Sequence, residues 1–337
     1  MTMMSSESII DRRALLAGVA ALPALGGALL PASAQAQVAA GGFSLKVVFG
    51  FARGSASARA FSLLEGGLAR ELGGPVEQIY MVGDQGRRAA ATVAAAGPDE
   101  PVVLVITDFA SVVIPIVYAD VPERPDLRPI AKLSRGISLA LVVPSNSEWR
   151  SWAALTSAKH QRSLRVATTG PRGPFGLFAA ILAKLGGFPI EEVAVTSSLA
   201  VALEGVDQHV DAAVVTTFDI KPLNIMSNNS LVPIVTSGAA RSPDFPDTPT
   251  IGEVTGDRRA DFTTSVSAFA SSAMNDALAE RLTRAFLAAG QAPEAVAAAA
   301  RMNFPLQVDG PDVVEETLAR NRRVGMRYRE ILGLATP

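Results

Sequence analysis

The sequence predicts an α/β protein with two doubly wound lobes. Short apolar runs alternate with segments of helical periodicity along the chain, and this alternation is typical of strands joined by helices. The run at 101–107 is continuously apolar, as expected of a strand that is covered on both faces of a parallel sheet. The 337 residues, of which 49% are hydrophobic, are enough to form two cores.

The first lobe begins with a strand, a helix and a second strand. An apolar run at 45–51 predicts the first strand, and a run at 76–82 predicts the second. Between them, apolar residues repeat at helical spacing and predict one buried helical face, formed by Phe61, Leu64, Leu68 and Leu72. The run at 101–107 then adds a third strand to the same lobe.

The second lobe repeats this pattern. Apolar runs predict its strands at 137–143, 164–169, 192–195 and 211–216. A helix is predicted through Phe178, Ile181, Leu182 and Leu185. The chain is expected to return to the first lobe near 265–270 and to end in a helix, because Pro311 after Gly310 is typical of a first helical turn.

Residues 1–36 have the composition of an export signal. Arg12 and Arg13 precede an apolar run at 14–30, which is followed by small residues at 32–36. The run contains proline and glycine and is shorter than the roughly 20 residues that a membrane span needs. We expect cleavage after Ala36 and export to the periplasm, by the twin-arginine or the general secretory route.

The composition excludes several classes of function. The chain has no cysteine, which removes disulfides, thiolate metal sites, thiol nucleophiles and a cysteine-linked lipid anchor. A net charge of −2 gives no electrostatic reason to expect nucleic acid or an anionic membrane as a partner. His160 and His209 have no partners at catalytic spacing, and no nucleophile, zinc-protease or phosphate-loop motif occurs. We therefore expect a protein that is not an enzyme and has no metal or cofactor.

The stretch 231–254 is the most informative part of the sequence. A buried strand runs into a proline-rich loop that contains Thr236, Ser237, Arg241, Ser242, Pro243, Pro246, Asp247, Pro249, Thr250 and Glu253. In these residues the chain resembles the periplasmic solute-binding proteins of tripartite tricarboxylate transporters, the Bug or TctC-like family. The segments 126–134 and 165–173 also have family counterparts, in the same order and spacing.

The resemblance implies a two-lobed type II periplasmic binding fold. We expect lobe I to comprise 37–143 and 268–337, and lobe II to comprise 144–267, with closure by hinge motion near Val143–Pro144 and Ser265–Phe269. The implied function is capture of a small organic anion, a mono- or dicarboxylate, for delivery to the permease subunits of a tripartite membrane transporter. The mature protein is expected to be a monomer that is not embedded in the membrane.

The ligand site is expected in loops that follow strands and face the cleft. The loops 51–58 and 168–175 both place glycine and small hydroxyl residues before a helix, where N–H groups and the helix dipole favour an anion. Arg53 and Arg172 either contact the ligand or are solvated, and Asp219 either orients the ligand or caps a helix. The expected site residues are Phe51, Ala52, Arg53, Gly54, Ser55, Ser57, Thr107, Asp108, Thr168, Thr169, Gly170, Arg172, Gly173, Thr196, Thr217 and Asp219.

Departures from the family pattern bear on the ligand. Ala58 stands where the usual loop has an acidic residue, and 193–197 also departs from the usual form. Loss of an acid beside Arg53 predicts a more positive first loop and a ligand with more negative charge. Two other functions remain open: a ligand sensor that docks on a signalling kinase, and a lyase or dehydratase with Asp108 or Asp219 as its acid or base.

Overall fold

The computed structural model describes residues 43–118, 120–121, 125–157, 162–195, 201 and 209–334, and it contains two mixed β-sheets with helices around them. This architecture confirms the predicted α/β class. The chain-order strands are β1 (Leu45–Phe49), β2 (Val76–Tyr80), β3 (Val102–Thr107), β4 (Leu127–Ser134), β5 (Leu139–Pro144), β6 (Leu164–Thr168), β7 (Ile190–Ala194), β8 (Ala212–Thr216), β9 (Leu231–Thr236), β10 (Val266–Ser271) and β11 (Leu306–Asp309).

The first sheet has the strand order β11-β4-β10-β3-β1-β2. Strand β1 pairs in parallel with β2 and β3, whereas β10 pairs antiparallel with β3 and β4. The second sheet has the order β7-β6-β8-β5-β9, in which β6 is parallel to β7 and β8, and β5 is antiparallel to both of its neighbours. Carboxyl ends of parallel strands therefore gather at one edge of each sheet, where the connecting loops lie.

The helices connect these strands and cover the sheets. In chain order they are α1 (Ala56–Ser62), α2 (Glu65–Leu72), α3 (Arg87–Ala94), α4 (Ile114–Val117), α5 (Trp152–Ser157), α6 (Pro174–Gly186), α7 (Thr217–Met226), α8 (Ile251–Thr255), α9 (Asp276–Gln291), α10 (Pro293–Arg301) and α11 (Pro311–Leu332). The C-terminal helix begins at Pro311 with Gly310 as its N-cap, as predicted. None of the helices in the described part of the chain has the length and apolar character that a membrane span requires.

The predicted first helix is two helices. Phe61 lies near the end of α1, whereas Leu68 and Leu72 lie on α2. All three side chains are buried in the core of the first sheet, so the apolar periodicity marks the buried side correctly although the backbone turns between the helices. Periodicity reports which residues face the core, and it does not report a short break between two helices that share that core.

The chain crosses between the sheets at two adjacent segments. Between β4 and β5, Ile137 pairs as an isolated antiparallel bridge with Thr264, which precedes β10. Val143 and Pro144 pair with Val232 and Leu231 inside the second sheet, so they do not form the crossing where hinge motion was expected. Sheet membership places the crossings at 135–138 and 262–265. The lobe bounds expected from the sequence, 37–143 with 268–337 for lobe I and 144–267 for lobe II, stay a prediction.

An aromatic cluster packs behind these crossings. Phe262 contacts Phe109, Phe178 and Tyr328, with ring centroids 4.9, 5.5 and 5.6 Å apart. Phe109 follows a strand of the first sheet, and Phe178 lies on α6 beside the second sheet. Tyr328 on α11 is fully buried and donates its hydroxyl to the carbonyl of Ala260 at 3.2 Å. This cluster packs the segment after β3 and the C-terminal helix against the core of the second sheet.

The loop between β9 and α8, within 231–254, is held by its own hydrogen bonds. Thr250 and Glu253 form a capping box at the start of α8, and Arg241 donates through Nε to both carboxylate oxygens of Glu253 at 3.0 Å. Arg241 also donates to the carbonyl of Pro246 at 3.0 Å, and the N–H of Thr236 donates to the carbonyl of Pro249. Arg241, Thr250 and Glu253 therefore have a structural role, because their side chains satisfy polar groups of the loop itself.

Candidate ligand-binding cavity

A cavity of about 210 Å³ lies between the loops at the carboxyl ends of the two sheets. The first sheet contributes the loops after β1 and β2 and the end of β3, and the second contributes the start of α6 and the ends of β7 and β8. The two crossing segments close the remaining side. Its lining consists of Gly50, Phe51, Ala52, Ser55, Ala56, Ser57, Val82, Gly83, Asp84, Gln85, Thr107, Ile137, Thr169, Pro174, Phe175, Val195, Thr216 and Thr264.

The loop after β1 brings hydroxyl groups to the cavity. Ser55 caps α1 by accepting a hydrogen bond from the N–H of Ala58 at 3.3 Å. Ser57, in the first turn of α1, is 0% exposed, and its Oγ has no hydrogen-bond partner among the described residues. The Oγ1 of Thr107, at the end of β3, is likewise buried and has no hydrogen-bond partner among the described residues. A buried hydroxyl without a partner is costly, so these two groups are suited to a polar ligand atom.

The loop after β2 has an unusual backbone and was missed by the sequence analysis. Gly83, Asp84, Gln85 and Gly86 have φ values of 119°, 54°, 51° and 82°. Non-glycine residues rarely adopt positive φ, and such strain is concentrated at functional sites. Asp84 forms an ion pair with Arg87 at the start of α3, three residues on. The glycines that flank Asp84 and Gln85 were the sequence signal for this turn.

The start of α6 forms the opposite wall. Pro174 has no N–H and Leu177 donates to Gly173 at 3.0 Å, so the N–H groups of Phe175 and Gly176 precede the first intrahelical bond. Because this end of the helix carries partial positive charge, it favours an anion. Thr169 lines the cavity directly before this turn, and Gly170 there has a φ of 108°.

A carboxylate lies behind this turn. Thr168 is fully buried and donates its hydroxyl to Glu192 on β7, while it accepts from the N–H of Gly170 at 2.9 Å. Burial raises the pKa of Glu192, and the hydrogen bond from Thr168 opposes that shift. A Cβ added to Gly176 would lie 2.5 Å from Glu192 Oε1 and closer still to the carbonyl oxygen of Gly170. Glycine at 176 therefore allows the carboxylate and the turn to approach the helix.

Six of the expected site residues line the cavity: Phe51, Ala52, Ser55, Ser57, Thr107 and Thr169. Thr196 lies outside the described residues. The expected residues outside the lining are Arg53, Gly54, Asp108, Thr168, Gly170, Arg172, Gly173, Thr217 and Asp219. The lining residues that were not among the expected ones come from the β2 loop, the crossing segments, the end of β8 and the last residue of the predicted loop 168–175, and they include Val82, Asp84, Gln85, Ile137, Phe175, Thr216 and Thr264.

Three of the four expected arginine and aspartate contacts, Arg53, Arg172 and Asp219, have other partners in the protein. Arg172 forms an ion pair with Asp120, and Arg53 is exposed with its guanidinium 4.4 Å from the ring centroid of Tyr80. Arg59 on α1 forms a bidentate pair with Asp219 on α7, with Nη2–Oδ2 at 3.0 Å, and thereby links the two sheets. A long side chain in a loop has several partners within reach, so its sequence position alone did not indicate which one it takes.

Asp108 is an internal structural carboxylate. It is fully buried and accepts from the Thr264 hydroxyl at 2.8 Å, the Ser265 N–H at 2.7 Å and the Ser265 hydroxyl at 2.7 Å. These bonds fix the crossing segment and orient Thr264 at the cavity. Thr217 likewise donates to the carbonyl of Ser138, at 3.2 Å. The described residues contain no group of three or more histidine or acidic side chains placed to hold a metal ion.

Comparison with known proteins gives consistent results. The family model described as "Tripartite tricarboxylate transporter family receptor" matches residues 61–321. Among solved structures, MatC from Rhodopseudomonas palustris with bound malate has a TM-score of 0.75 at 20% identity, covering 86% of this chain and 98% of that chain.

Two further structures are similar. The periplasmic binding protein BugD has a TM-score of 0.75 at 15% identity, covering 86% of this chain and 97% of that chain. Another R. palustris protein, with adipate, has a TM-score of 0.75 at 18% identity, covering 87% and 98%. At these identities the structures establish the shared fold. A search of curated proteins found no match.

Proposed function

The chain belongs to the tripartite tricarboxylate transporter receptor family, and on that premise we propose that it captures a small organic anion, a carboxylate, in the cavity between its two sheets. The binding takes place in the periplasm, and the bound ligand is delivered to the permease of a tripartite-type membrane transporter. The observation that carries this proposal is a cavity whose lining takes hydroxyl groups from both sides, Ser57 and Thr107 beside the first sheet and Thr169 beside the second.

The chemistry of this lining suits a carboxylate. A carboxylate oxygen accepts several hydrogen bonds, and hydroxyl groups and helix-start N–H groups donate them without adding a charge. The cavity is bordered by the crossing segments, where a change in backbone angle moves one sheet relative to the other. Closure around the ligand removes water from these bonds and strengthens them. Relatives of the same fold were solved with malate and with adipate, which agrees with this ligand class.

The candidate acids and bases of an enzyme have structural partners. Asp108 accepts three hydrogen bonds from Thr264 and Ser265, and Asp219 is paired with Arg59. Neither lines the cavity. A general acid or base must reach the substrate within hydrogen-bonding distance, so these arrangements support binding without turnover.

A thermal-shift screen of residues 37–337 tests the proposal. The panel contains mono-, di- and tricarboxylates, with sugars and simple amines as controls. A ligand at about one hundred times its Kd stabilises the folded protein by roughly 2.7 kcal/mol, which gives a shift of several degrees. We expect a selective shift with carboxylates, and the absence of a shift with every carboxylate would refute the proposed ligand class.

Two threonine variants locate the binding in the cavity. Thr169→Val removes a hydroxyl from the lining, and the shift by the best carboxylate should shrink. Thr92→Val is the matched control, because Thr92 is exposed and its hydroxyl contacts the carbonyl of Arg88 in its own helix. An equal response of both variants to the ligand would place the binding elsewhere.

A further inference from the structure

The cavity has apolar walls and no cationic side chain in its described lining. Its larger apolar lining residues are Phe51, Val82, Ile137, Phe175 and Val195. The charged side chain in the described lining is Asp84, which is acidic and paired with Arg87. A ligand charge that meets such walls loses its hydration and gains no counter-ion. The walls therefore limit how many charges a bound molecule can carry.

The arginines around the cavity are occupied by other groups. Arg59 is paired with Asp219, and Arg172 is paired with Asp120. Arg53 lies over the ring of Tyr80, outside the lining. Recruiting Arg59 or Arg172 to the ligand would leave a carboxylate of the protein without its partner, and such an exchange gains little. The more positive first loop that Arg53 predicted therefore does not extend into the cavity.

The sequence of the neighbouring segments adds no cation. Val195 lines the cavity and is followed by 196–200, which lies outside the described residues together with 202–208. Neither segment contains lysine or arginine, whereas the second contains Glu204 and Asp207. Whatever position these segments take, they cannot supply a positively charged side chain to a ligand.

The neutral donors match one carboxylate. The first-turn N–H groups of α6 and the hydroxyl of Thr169 lie on one wall. Ser57, which is 0% exposed and has a hydroxyl without a partner in the described structure, lies on the other wall with Thr107. One carboxylate with two oxygens accepts about four hydrogen bonds, and these five donors, two N–H groups and three hydroxyls, are enough for one carboxylate and too few for two.

We infer that the ligand is a monocarboxylate with an apolar aliphatic or aromatic body, and that the cavity discriminates against a second carboxylate. This inference rests on the proposed function, since it specifies the acid that the same cavity binds. The carboxylate lies among the α6 start and the hydroxyl groups, and the body lies against Phe51, Val82 and Phe175. The family name and the malate and adipate of two relatives do not indicate this preference.

Calorimetric titration with matched acids tests the inference. Hexanoate is compared with hexanedioate, and benzoate with terephthalate, at neutral pH where every carboxyl group is ionised. We expect each monoacid to bind at least tenfold more tightly than its diacid. A diacid that binds as tightly or more tightly overturns the inference and leaves the proposed function standing. If none of these four acids binds but a tricarboxylate or a hydroxy acid does, the monocarboxylate inference is overturned and the proposed function stands. If no carboxylate binds, the inference and the proposed function are both overturned.

A cation added to the wall provides the second test. Val82 lines the cavity and is 49% exposed, so an arginine side chain at this position fits without disturbing the core. The guanidinium of Val82→Arg then offers an ion-pair partner to a second carboxylate. We expect hexanedioate to gain at least tenfold in affinity relative to hexanoate. The control is Val296→Arg, because Val296 is 54% exposed on α10 and does not line the cavity. An unchanged ratio of the two affinities in Val82→Arg would contradict the inference.

Discussion

Removal of the ion pair between Arg59 and Asp219 should weaken the link between the two sheets more than any exposed ion pair does. Arg59 lies on α1 beside the first sheet, and Asp219 lies on α7 beside the second. Their side chains are 20% and 7% exposed, so the pair is largely shielded from water. Asp219 also accepts the hydroxyl of Thr216, which lines the cavity. The pair therefore joins both sheets next to the proposed ligand.

The magnitude follows from the burial and the number of bonds. Loss of one partner of a fully buried pair costs about 3–5 kcal/mol, because the other charge is left without a counter-ion. Arg59 keeps some contact with solvent, and its guanidinium lies 4.5 Å from the ring centroid of Phe218. We therefore expect Asp219→Asn to lower the free energy of unfolding by about 2–4 kcal/mol, and the Arg59–Asp219 coupling to be about 1.5–3 kcal/mol.

The assay is a double-mutant cycle by urea unfolding. It uses Arg59→Met, Asp219→Asn and the double variant. A matched cycle uses Arg70→Met and Glu294→Gln, whose ion pair is solvent-exposed, with side chains 61% and 55% accessible. The exposed pair should give a coupling of roughly 0–1 kcal/mol. Equal coupling energies in the two cycles would show that burial does not strengthen the Arg59–Asp219 pair.

Three further predictions concern the cavity walls. Because burial raises the pKa of Glu192, the folded state binds this proton more tightly than the unfolded state, and the contribution of Glu192 to stability should be lost as pH rises through the folded pKa. In urea unfolding from about pH 4 to pH 7, Glu192→Gln should therefore make stability fall less steeply with pH than in the parent protein, and an unchanged slope would contradict this expectation. Gly176→Ala should lower the free energy of unfolding by about 1–3 kcal/mol, because the added methyl group clashes with Gly170 and Glu192. Gly66→Ala, at an exposed helical site with open space, should be neutral or stabilising, and equal effects of the two substitutions would contradict the clash at Gly176. Ser57→Ala should stabilise the ligand-free protein by about 1 kcal/mol and weaken carboxylate binding, and calorimetry that shows full affinity would exclude Ser57 as a donor.

The sequence predicted most strands because their apolar runs are buried. The runs at 45–51, 76–82 and 101–107 correspond to β1, β2 and β3 within two residues at each end. Strand β4 was not identified as a strand, since Arg128, Pro129 and Lys132 interrupt its apolar pattern. Antiparallel β10 packs between β3 and β4, and this pairing spans segments too distant for local periodicity to indicate.

The site was less predictable than the fold. Glycine and hydroxyl composition pointed to Ser57, Thr107 and Thr169, which line the cavity, because a small residue after a strand indicates a loop at the sheet edge; their contact with a ligand stays a prediction. The left-handed turn at 83–86 was missed, since Asp84 and Gln85 are ordinary residues whose positive φ is imposed by the surrounding structure.

The contacts of Asp108 and Asp219 could not be predicted from the sequence, because their partners are distant along the chain. Arg59 and Asp219 are 160 positions apart in the sequence, and Asp108 accepts a hydrogen bond from a residue 157 positions away, so local sequence patterns do not indicate either pairing. Both aspartates follow strands and fit the pattern of a ligand contact, yet each has its hydrogen bonds satisfied by the protein. Local sequence identifies a side chain near a strand end, whereas tertiary packing determines whether it faces the ligand.

A crystal structure of the complex with the carboxylate that gives the largest thermal shift would show whether the cavity between the two sheets binds the ligand. We expect one carboxylate within hydrogen-bonding distance of the Thr169 hydroxyl or the α6 N–H groups, with the rest of the molecule against Phe51 and Val82. Ligand density outside this cavity, or an empty cavity in a saturated complex, would contradict it.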